Sequence, residues 1–276
     1  LVMADRAVSN GEKHELTIAI VVFKPDQETV LETIRSLRQA LQFVSLKRVK
    51  VYLIDNTPVI SSYDWLLEAM EGVSVEIING QGNVGFGRAN NIVADAVGKY
   101  HLILNPDVDM EREALANAIA FMEAHGDCGL LTPQAFNPDG TRQYLCKRYP
   151  TVLDLLLRGF APRGVKQLFA ARLDRYEMRD QIGDAVFWNP PIISGCFMFF
   201  RGDVFQKAGG FDPRYLLYFE DFDVSLRAAK LAQIAYVPKV RIIHAGGNAS
   251  RKGWWHLRQF ARSAWIFFST HGLRFV

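Results

Sequence analysis

Residues 16–23, LTIAIVVF, form an unbroken apolar run rich in β-branched side chains, which is how a strand buried on both faces reads. A strand with no polar face needs cover on both sides, so helices must flank the sheet it belongs to. Lys24 and Pro25 end the run, and Val30, Ile34, Leu37 and Leu41 then recur at spacings of four, three and four, one apolar helical stripe after a cap at Asp26. The pattern repeats. VKVYLI (49–54) is a second strand that ends in Asp55, Asn56 and Thr57, and a helix around 63–71 and a strand at 73–78 follow. Next come GQGNVGFGRANN (80–91), a helix to about Val97 and another strand at 101–104. Strands that alternate with helices imply a mostly parallel, Rossmann-like sheet with right-handed crossovers, so the class is α/β and residues 16–110 read as a nucleotide-binding half.

HLILNPDVD (101–109) ends a buried strand abruptly in Asn105 and Pro106 and places Asp107 and Asp109 just beyond its C-terminal end. In an open α/β sheet that edge is where ligands bind. Alternation around Val108 can aim both carboxylates the same way, and like charges so close call for a hard divalent cation, Mg2+ or Mn2+, whose other positions go to water and phosphate oxygens. The same residues also suit a plain Asn-Pro-Asp turn followed by a cap.

The second half is less regular. It offers a helix at about 111–124, a strand near 128–132, an NPDG turn at 137–140 and a buried strand IISGCFMFF (192–200). Between 141 and 179 basic residues interleave with leucines and aromatics, a pattern for helices on a surface. Nothing resembles a linker, a repeat or a low-complexity segment, so the expectation is an N-terminal extension, 1–15, and one domain over 16–276 with two functional halves, 16–110 and 111–276. A net charge of +3 argues against general nucleic-acid binding. Three widely spaced cysteines in apolar surroundings fit reduced thiols in a cytoplasmic protein, and no stretch is apolar for long enough to span a bilayer.

Four groups can carry chemistry. Asp55, at the end of the second strand, suits a nucleobase N–H or sugar hydroxyl, since a carboxylate only accepts. Gly82, Gly85 and Gly87 let backbone approach a ligand, and Arg88 adds charge at a helix start. The order and place are wrong for a dinucleotide fingerprint. YFEDFDVSLR (218–227) sets Glu220, Asp221 and Asp223 in a first helical turn, where the helix dipole alone favours acids. Aromatic walls from Tyr218, Phe219 and Phe222 would also raise a carboxylate toward a useful general base. His244 ends RIIH before two glycines, as a structural residue or a metal ligand.

Taken in order, the β-branched first strand, DN after the second, GNVGFGRANN, LNPDVD, GCFMFFR, GGFD, YFEDFDVSLR and the later histidine resemble family-2 glycosyltransferases of the GT-A fold. The likeness is nearest to bacterial O-antigen and cell-wall rhamnosyltransferases and covers about residues 16–260. It implies an inverting, metal-dependent transfer of L-rhamnose from dTDP-rhamnose to a saccharide acceptor, lipid-linked in cell-surface polysaccharide synthesis. It further implies that Asp55 and Asn56 contact the nucleoside and that Gly82, Asn83, Gly85, Gly87, Arg88 and Asn91 run along the nucleotide sugar. Asp107 and Asp109 become the metal-diphosphate motif, Asp221 the base with Glu220 as the other candidate, and His244 a further metal ligand. Phe23-Lys24-Pro25 departs from many relatives, so the first strand is assigned no contact to the base. Two rivals remain: a sugar-phosphate nucleotidyltransferase, which should show a glycine-rich, lysine-bearing loop where KPDQE stands, and a non-catalytic nucleotide-sugar-binding module.

The last segment, GWWHLRQFARSAWIFFS (253–269), winds Trp254, Leu257, Phe260, Ala264, Trp265 and Phe267 into one apolar arc with Arg258 and Arg262 on the other face. That arc suits packing on the domain. With the basic stretch Lys147–Arg179 it also suggests peripheral contact with the inner face of the cytoplasmic membrane.

Overall fold

The computed structural model describes residues 14–59, 62–246 and 253–275. Most of the expected N-terminal extension, residues 1–13, lies outside that range. The chain opens with β1 (Leu16–Val22), α1 (Gln27–Leu41), β2 (Val49–Asp55), α2 (Asp64–Ala69), β3 (Ser74–Ile78), α3 (Phe86–Asn91) and β4 (Tyr100–Leu104). All seven residues of β1 are buried, as a two-sided strand requires. Asp26 caps α1 by accepting from the Thr29 amide at 3.0 Å, and Val30, Ile34 and Leu37 turn inward at the expected spacing.

After β4 the chain returns to the sheet as β5 (Val108–Met110), so Asp109 belongs to a strand rather than a helix cap. Next come α4 (Ala114–Ala124), β6 (Cys128–Phe136), β7 (Arg142–Gln143), β8 (Cys146–Lys147), α5 (Val152–Phe160), α6 (Arg163–Leu168) and α7 (Ala170–Tyr176). Thr151 and Asp154 close a capping box that starts α5, and Arg172 from α7 bonds the same aspartate at 2.7 Å. The remainder is β9 (Phe187–Trp188), β10 (Ile192–Ile193), β11 (Phe197–Arg201), α8 (Gly202–Lys207), α9 (Glu220–Ala228), β12 (Gln233–His244) and α10 (Trp254–His271).

One ten-stranded sheet runs in the order β3-β2-β1-β4-β11-β6-β12-β5, with β7 on β6 and β9 on β12, while β10 and β8 pair separately. The first four strands are parallel, β11 is antiparallel to both its neighbours, and β12 is parallel to β6. Helices cover both faces, in agreement with the α/β class read from the sequence. Register aligns the strand ends: Val22 lies opposite Asp55, and Leu104 opposite both Ile20 and Phe197. The C-terminal ends of β1, β2 and β4 and the N-terminal end of β11 therefore share one edge.

The sequence suggests two short strands at 234–237 and 241–244, whereas the structure joins them as a single strand of 12 residues, β12. Its partner register jumps from Val237 opposite Pro133 to Arg241 opposite Gln134, so residues 238–240 bulge out and Pro238 needs no ladder bond. Cys128, Cys146 and Cys196 are free and buried. Among the described residues no helix is long and apolar enough to cross a membrane.

Arg201, at the end of β11, donates to the carbonyls of Met122, His125 and Cys128, satisfying the C-terminal end of α4 with a positive charge. Arg201→Met should cost about 2 kcal/mol or more, since it strips a charged donor from three carbonyls. Urea unfolding is expected to show a lower midpoint at unchanged slope.

Candidate active site

Two successive non-glycine residues, Tyr218 (φ 69°) and Phe219 (φ 67°), are left-handed immediately before α9. Each such residue costs on the order of 1–3 kcal/mol and persists only where its surroundings hold it. Here α10 supplies the hold. The Phe219 ring lies 5.2 Å from Phe260 and 5.3 Å from Phe267, the Tyr218 hydroxyl meets His256 Nδ1 at 3.0 Å, and the Ser263 hydroxyl donates to the Leu217 carbonyl at 2.7 Å.

The turn delivers the acids of α9 to three different environments. Asp223 is spent on structure, with Arg227 on one oxygen at 2.6 Å and His271 Nε2 on the other at 2.8 Å. Asp221 stays partly exposed and accepts from the amides of Gly195 and Phe222, each at 3.0 Å. Burial pushes its carboxyl above the ordinary range, while those two amides and the Arg158 charge oppose the rise. Glu220 is 7% exposed, and its Oε2 has no hydrogen-bond partner among the described residues. Burial pushes Glu220 up as well, and the Asp221 charge adds to it. Gly195 has no slack, because an added Cβ would lie 3.2 Å from the Asp221 Cβ.

Gly195 and Cys196 lead from Asp221 to the second group of residues. The Asn105 amide donates to the Cys196 carbonyl at 2.9 Å, and the charges of both Asp107 and Asp221 bear on the buried Cys196 thiol. Asp107 Oδ1 is buried without a hydrogen-bond partner and stands 3.4 Å from His244 Nε2. The protonation of that ring follows from Gln143. Its amide nitrogen already donates to Asn137 Oδ1 and to the His244 carbonyl, so its Oε1, 3.0 Å from His244 Nδ1, accepts, and Nδ1 carries the hydrogen. A neutral ring then turns the bare lone pair of Nε2 toward a carboxylate oxygen. Two facing acceptors need a proton or a cation between them, and adjacent ligands of an octahedral ion stand about 3 Å apart. The pair thus fits a divalent ion. Asp109 stands exposed on β5 between buried Val108 and Met110, and among the described residues no three His, Cys, Asp or Glu side chains converge as a metal cluster.

The residues read as lining the nucleotide sugar divide sharply. Gly85 (φ 89°) is obligatory, since a Cβ there would meet the Leu216 carbonyl at 2.2 Å, and Gly87 is closely packed on Phe211. Gly82 (φ 65°) faces open space, and Asn83 accepts from the Gly85 amide at 3.2 Å. Asn56 donates to the Gly85 carbonyl at 3.2 Å and so ties β2 to this loop. Asn91 holds the Phe211 backbone with both ends of its amide, at 2.7 and 2.8 Å, and Arg88 Nε donates to the Pro213 carbonyl at 2.6 Å. Both brace the loop that precedes α9. Asp55 is fully buried, with Tyr63 OH on one oxygen and the Thr57 amide on the other, each at 2.8 Å. The sequence reading passed over Gly195, Gln143 and Tyr63. Gly195 had a signal, a glycine opening an apolar strand, whereas nothing local marks Gln143 or Tyr63.

The family model "Glycosyl transferase family 2" matches residues 17–209. The chain is 26% identical over 212 residues to an N-acetylglucosaminyl-diphospho-decaprenol L-rhamnosyltransferase of Mycobacterium tuberculosis, a match covering 70% of this chain and 66% of that protein, just under two thirds of its length. It is 27% identical over 199 residues to the rhamnosyltransferase WbbL of Escherichia coli K12, covering 66% of this chain and 70% of that one. Among solved structures, GalNAc-T7 with UDP, GalNAc and Mn2+ superposes with a TM-score of 0.58 at 15% identity, over 83% of this chain and 43% of that one. S. aureus TarS 1–349 in complex with UDP-GlcNAc gives 0.55 at 14%, over 87% and 61%. At such identities the likeness is one of fold.

Glu220 yields a pH prediction. Its folded pKa is raised, so the stability it contributes is complete below the ordinary carboxylate range and is lost as pH rises through the folded value. Glu220→Gln should therefore gain thermal stability relative to wild type as pH climbs from that range, then level off once Glu220 is ionised. Melting curves across pH check this, and a constant difference would contradict it.

Proposed function

The chain belongs to glycosyl transferase family 2, and on that premise we propose that it moves L-rhamnose from dTDP-rhamnose to a hydroxyl of a lipid-linked saccharide, with inversion and with a divalent cation. One observation carries the reading: the Gly195 amide is bonded to Asp221 while the next carbonyl, that of Cys196, is bonded to Asn105, two residues before the Asp107 that faces His244, at the sheet edge where parallel strands end. A proton acceptor and a cation holder thus flank one short segment. The names of the mycobacterial and E. coli relatives support rhamnose as the sugar, and the decaprenol in the former's name supports a lipid-linked acceptor.

In this mechanism Asp221 accepts the proton of the acceptor hydroxyl as its oxygen attacks the anomeric carbon. The bond from that carbon to the diphosphate oxygen breaks, and the electron pair leaves with the nucleoside diphosphate. The Gly195 and Phe222 amides hold the Asp221 carboxylate in place through both events. Glu220, buried and biased toward its neutral form, keeps a second negative charge away from the base. Asp107 and His244 would hold Mg2+ or Mn2+, with Asp109 adding negative charge at the rim. When bound, the ion supplies positive charge against the departing diphosphate. Gly85 and Asn56 keep the donor loop close to the sheet. Asp55, buried against the Tyr63 hydroxyl and the Thr57 amide, serves the nucleoside indirectly, by ordering the turn that follows β2.

Asp221→Asn should leave the fold and donor affinity intact and lower transfer by about a hundredfold or more. Near-normal turnover in that variant would remove Asp221 from the role of base. Asp107→Ala should abolish the manganese-dependent part of dTDP binding measured by calorimetry, and His244→Ala should weaken it less, since carboxylate and phosphate ligands remain. Binding of dTDP that is indifferent to manganese in the wild type would sink the metal assignment.

A further inference from the structure

The arc expected for α10 splits in the structure. Phe260, Ala264, Phe267 and Phe268 pack inward against α9 and α5, and Phe160 of α5 meets Phe260 at 6.0 Å. Trp254 and Trp265 turn the other way, each 74% exposed, and share the outer side with Arg258 and Arg262 at spacings of four, four and three. The neighbouring helices show the same mixture. Leu156 and Phe160 on α5 are each 52% exposed, and α6 has no buried residue at all, with Leu168 81% exposed.

Charge follows the same division. Helices α5, α6, α7 and α10 together carry seven Arg or Lys against two Asp, in a chain whose net charge is only +3, so the rest of the molecule is net negative. Arg163, Arg258 and Arg262 are exposed, Lys166 is half-buried with its ammonium on the Arg158 carbonyl, and the acids Asp154 and Asp174 are already engaged by Arg172 and Arg179. Large apolar side chains, tryptophan and cations exposed on adjacent helices match the interfacial zone of a bilayer, where indole rings sit at headgroup depth and each Lys or Arg near an anionic surface adds about 1 kcal/mol, roughly fivefold in partition.

We propose that the outer surface of α5, α6 and α10 docks the protein onto an anionic phospholipid bilayer through Trp254, Trp265 and Leu168 in the interface and Arg163, Arg258 and Arg262 on the headgroups. The surface adjoins the reaction site: α5 carries Arg158, whose charge acts on Asp221, and α10 braces the turn before that residue. Its purpose rests on the lipid-linked acceptor of the preceding section. An acceptor anchored in the bilayer would then present its saccharide to a base held close to the membrane plane. Binding itself is independent of that chemistry, so the two can fail separately.

The test is flotation of the full chain with phosphatidylcholine vesicles, with and without phosphatidylglycerol, at low and high salt. Wild type should float with the phosphatidylglycerol vesicles at low salt, stay behind with phosphatidylcholine alone, and be released by salt. Arg258→Gln with Arg262→Gln should lower partition by about tenfold or more, and Trp254→Ser with Trp265→Ser should do likewise. Leu168→Gln gives an independent probe on α6. All these side chains are exposed, so manganese-dependent hydrolysis of donor should persist in each variant and show that it is folded. Absence of flotation at low salt overturns the proposal, as does equal flotation of wild type and variants. Self-association that the tryptophan substitutions abolish, without any vesicle binding, would make the surface an interface between copies and also overturn it. Loss of donor hydrolysis in a wild type that still floats would instead count against the glycosyl-transfer reading alone.

Discussion

The left-handed pair Tyr218-Phe219 is the constraint on which the active site depends. Neither residue adopts that conformation freely, so the chain can enter α9 at this angle only while α10 holds Phe219 between Phe260 and Phe267. The consequence is a division of labour among adjacent acids. Asp223 anchors α10 in return through His271, Glu220 turns into a space without a donor, and Asp221 alone reaches the Gly195 amide. Strain, brace and proposed base form one mechanical unit spread over about fifty residues of sequence.

Opposite this unit lies an edge made by mixing strand directions. Four parallel strands would place only their own C-terminal ends there, but antiparallel β11 brings its beginning to the same line. That geometry lets Gly195-Cys196 run between the end of β4 and the start of α9. The sheet thereby touches both halves of the proposed chemistry, with its core strand β4 on one side and a helix from the distal half of the chain on the other. The helix that braces the turn before Asp221 is also the one that exposes tryptophans outward, so proposed membrane contact and carboxylate position are linked through α10.

Much of this was legible in the sequence. The fully apolar 16–23 run, the stripe of α1 and the polar ends of the strands specify an α/β sheet because burial leaves those residues no other arrangement. The acids of 218–227 were visible as a group, yet their separate roles were not, since beside the local Arg227 and Phe222 contacts the partners that part Asp223 from Asp221 arrive from residues 271 and 195. Asp55 and Asn91 show the same limit. Each sits where a ligand contact would be expected, and each is occupied by the fold, Asp55 by Tyr63 and Asn91 by the Phe211 backbone. Polar side chains at a sheet edge satisfy loops as readily as substrates, and spacing cannot tell which. The α10 arc holds only in part for a related reason: a helical wheel sorts residues by angle, while among the described residues only Phe260, Ala264, Phe267 and Phe268 of that arc find partners in the fold and Trp254 and Trp265 do not.

The bulge in β12 carries a further implication. Three residues, 238–240, are spent where β6 spends none, so the strand leaves the bulge with its alternation reversed relative to the one it entered with. His244 lies downstream of that reversal. Which way the imidazole points is therefore written as the parity of a length and not as the identity of any residue in the bulge. Substitutions across 238–240 leave that parity untouched, whereas losing or gaining one residue inverts it while both halves of the strand remain paired. In a lineage of such chains, the proposed cation site would be expected to appear and vanish with single-residue changes in the length of this edge, even where Asp107 and His244 are both retained.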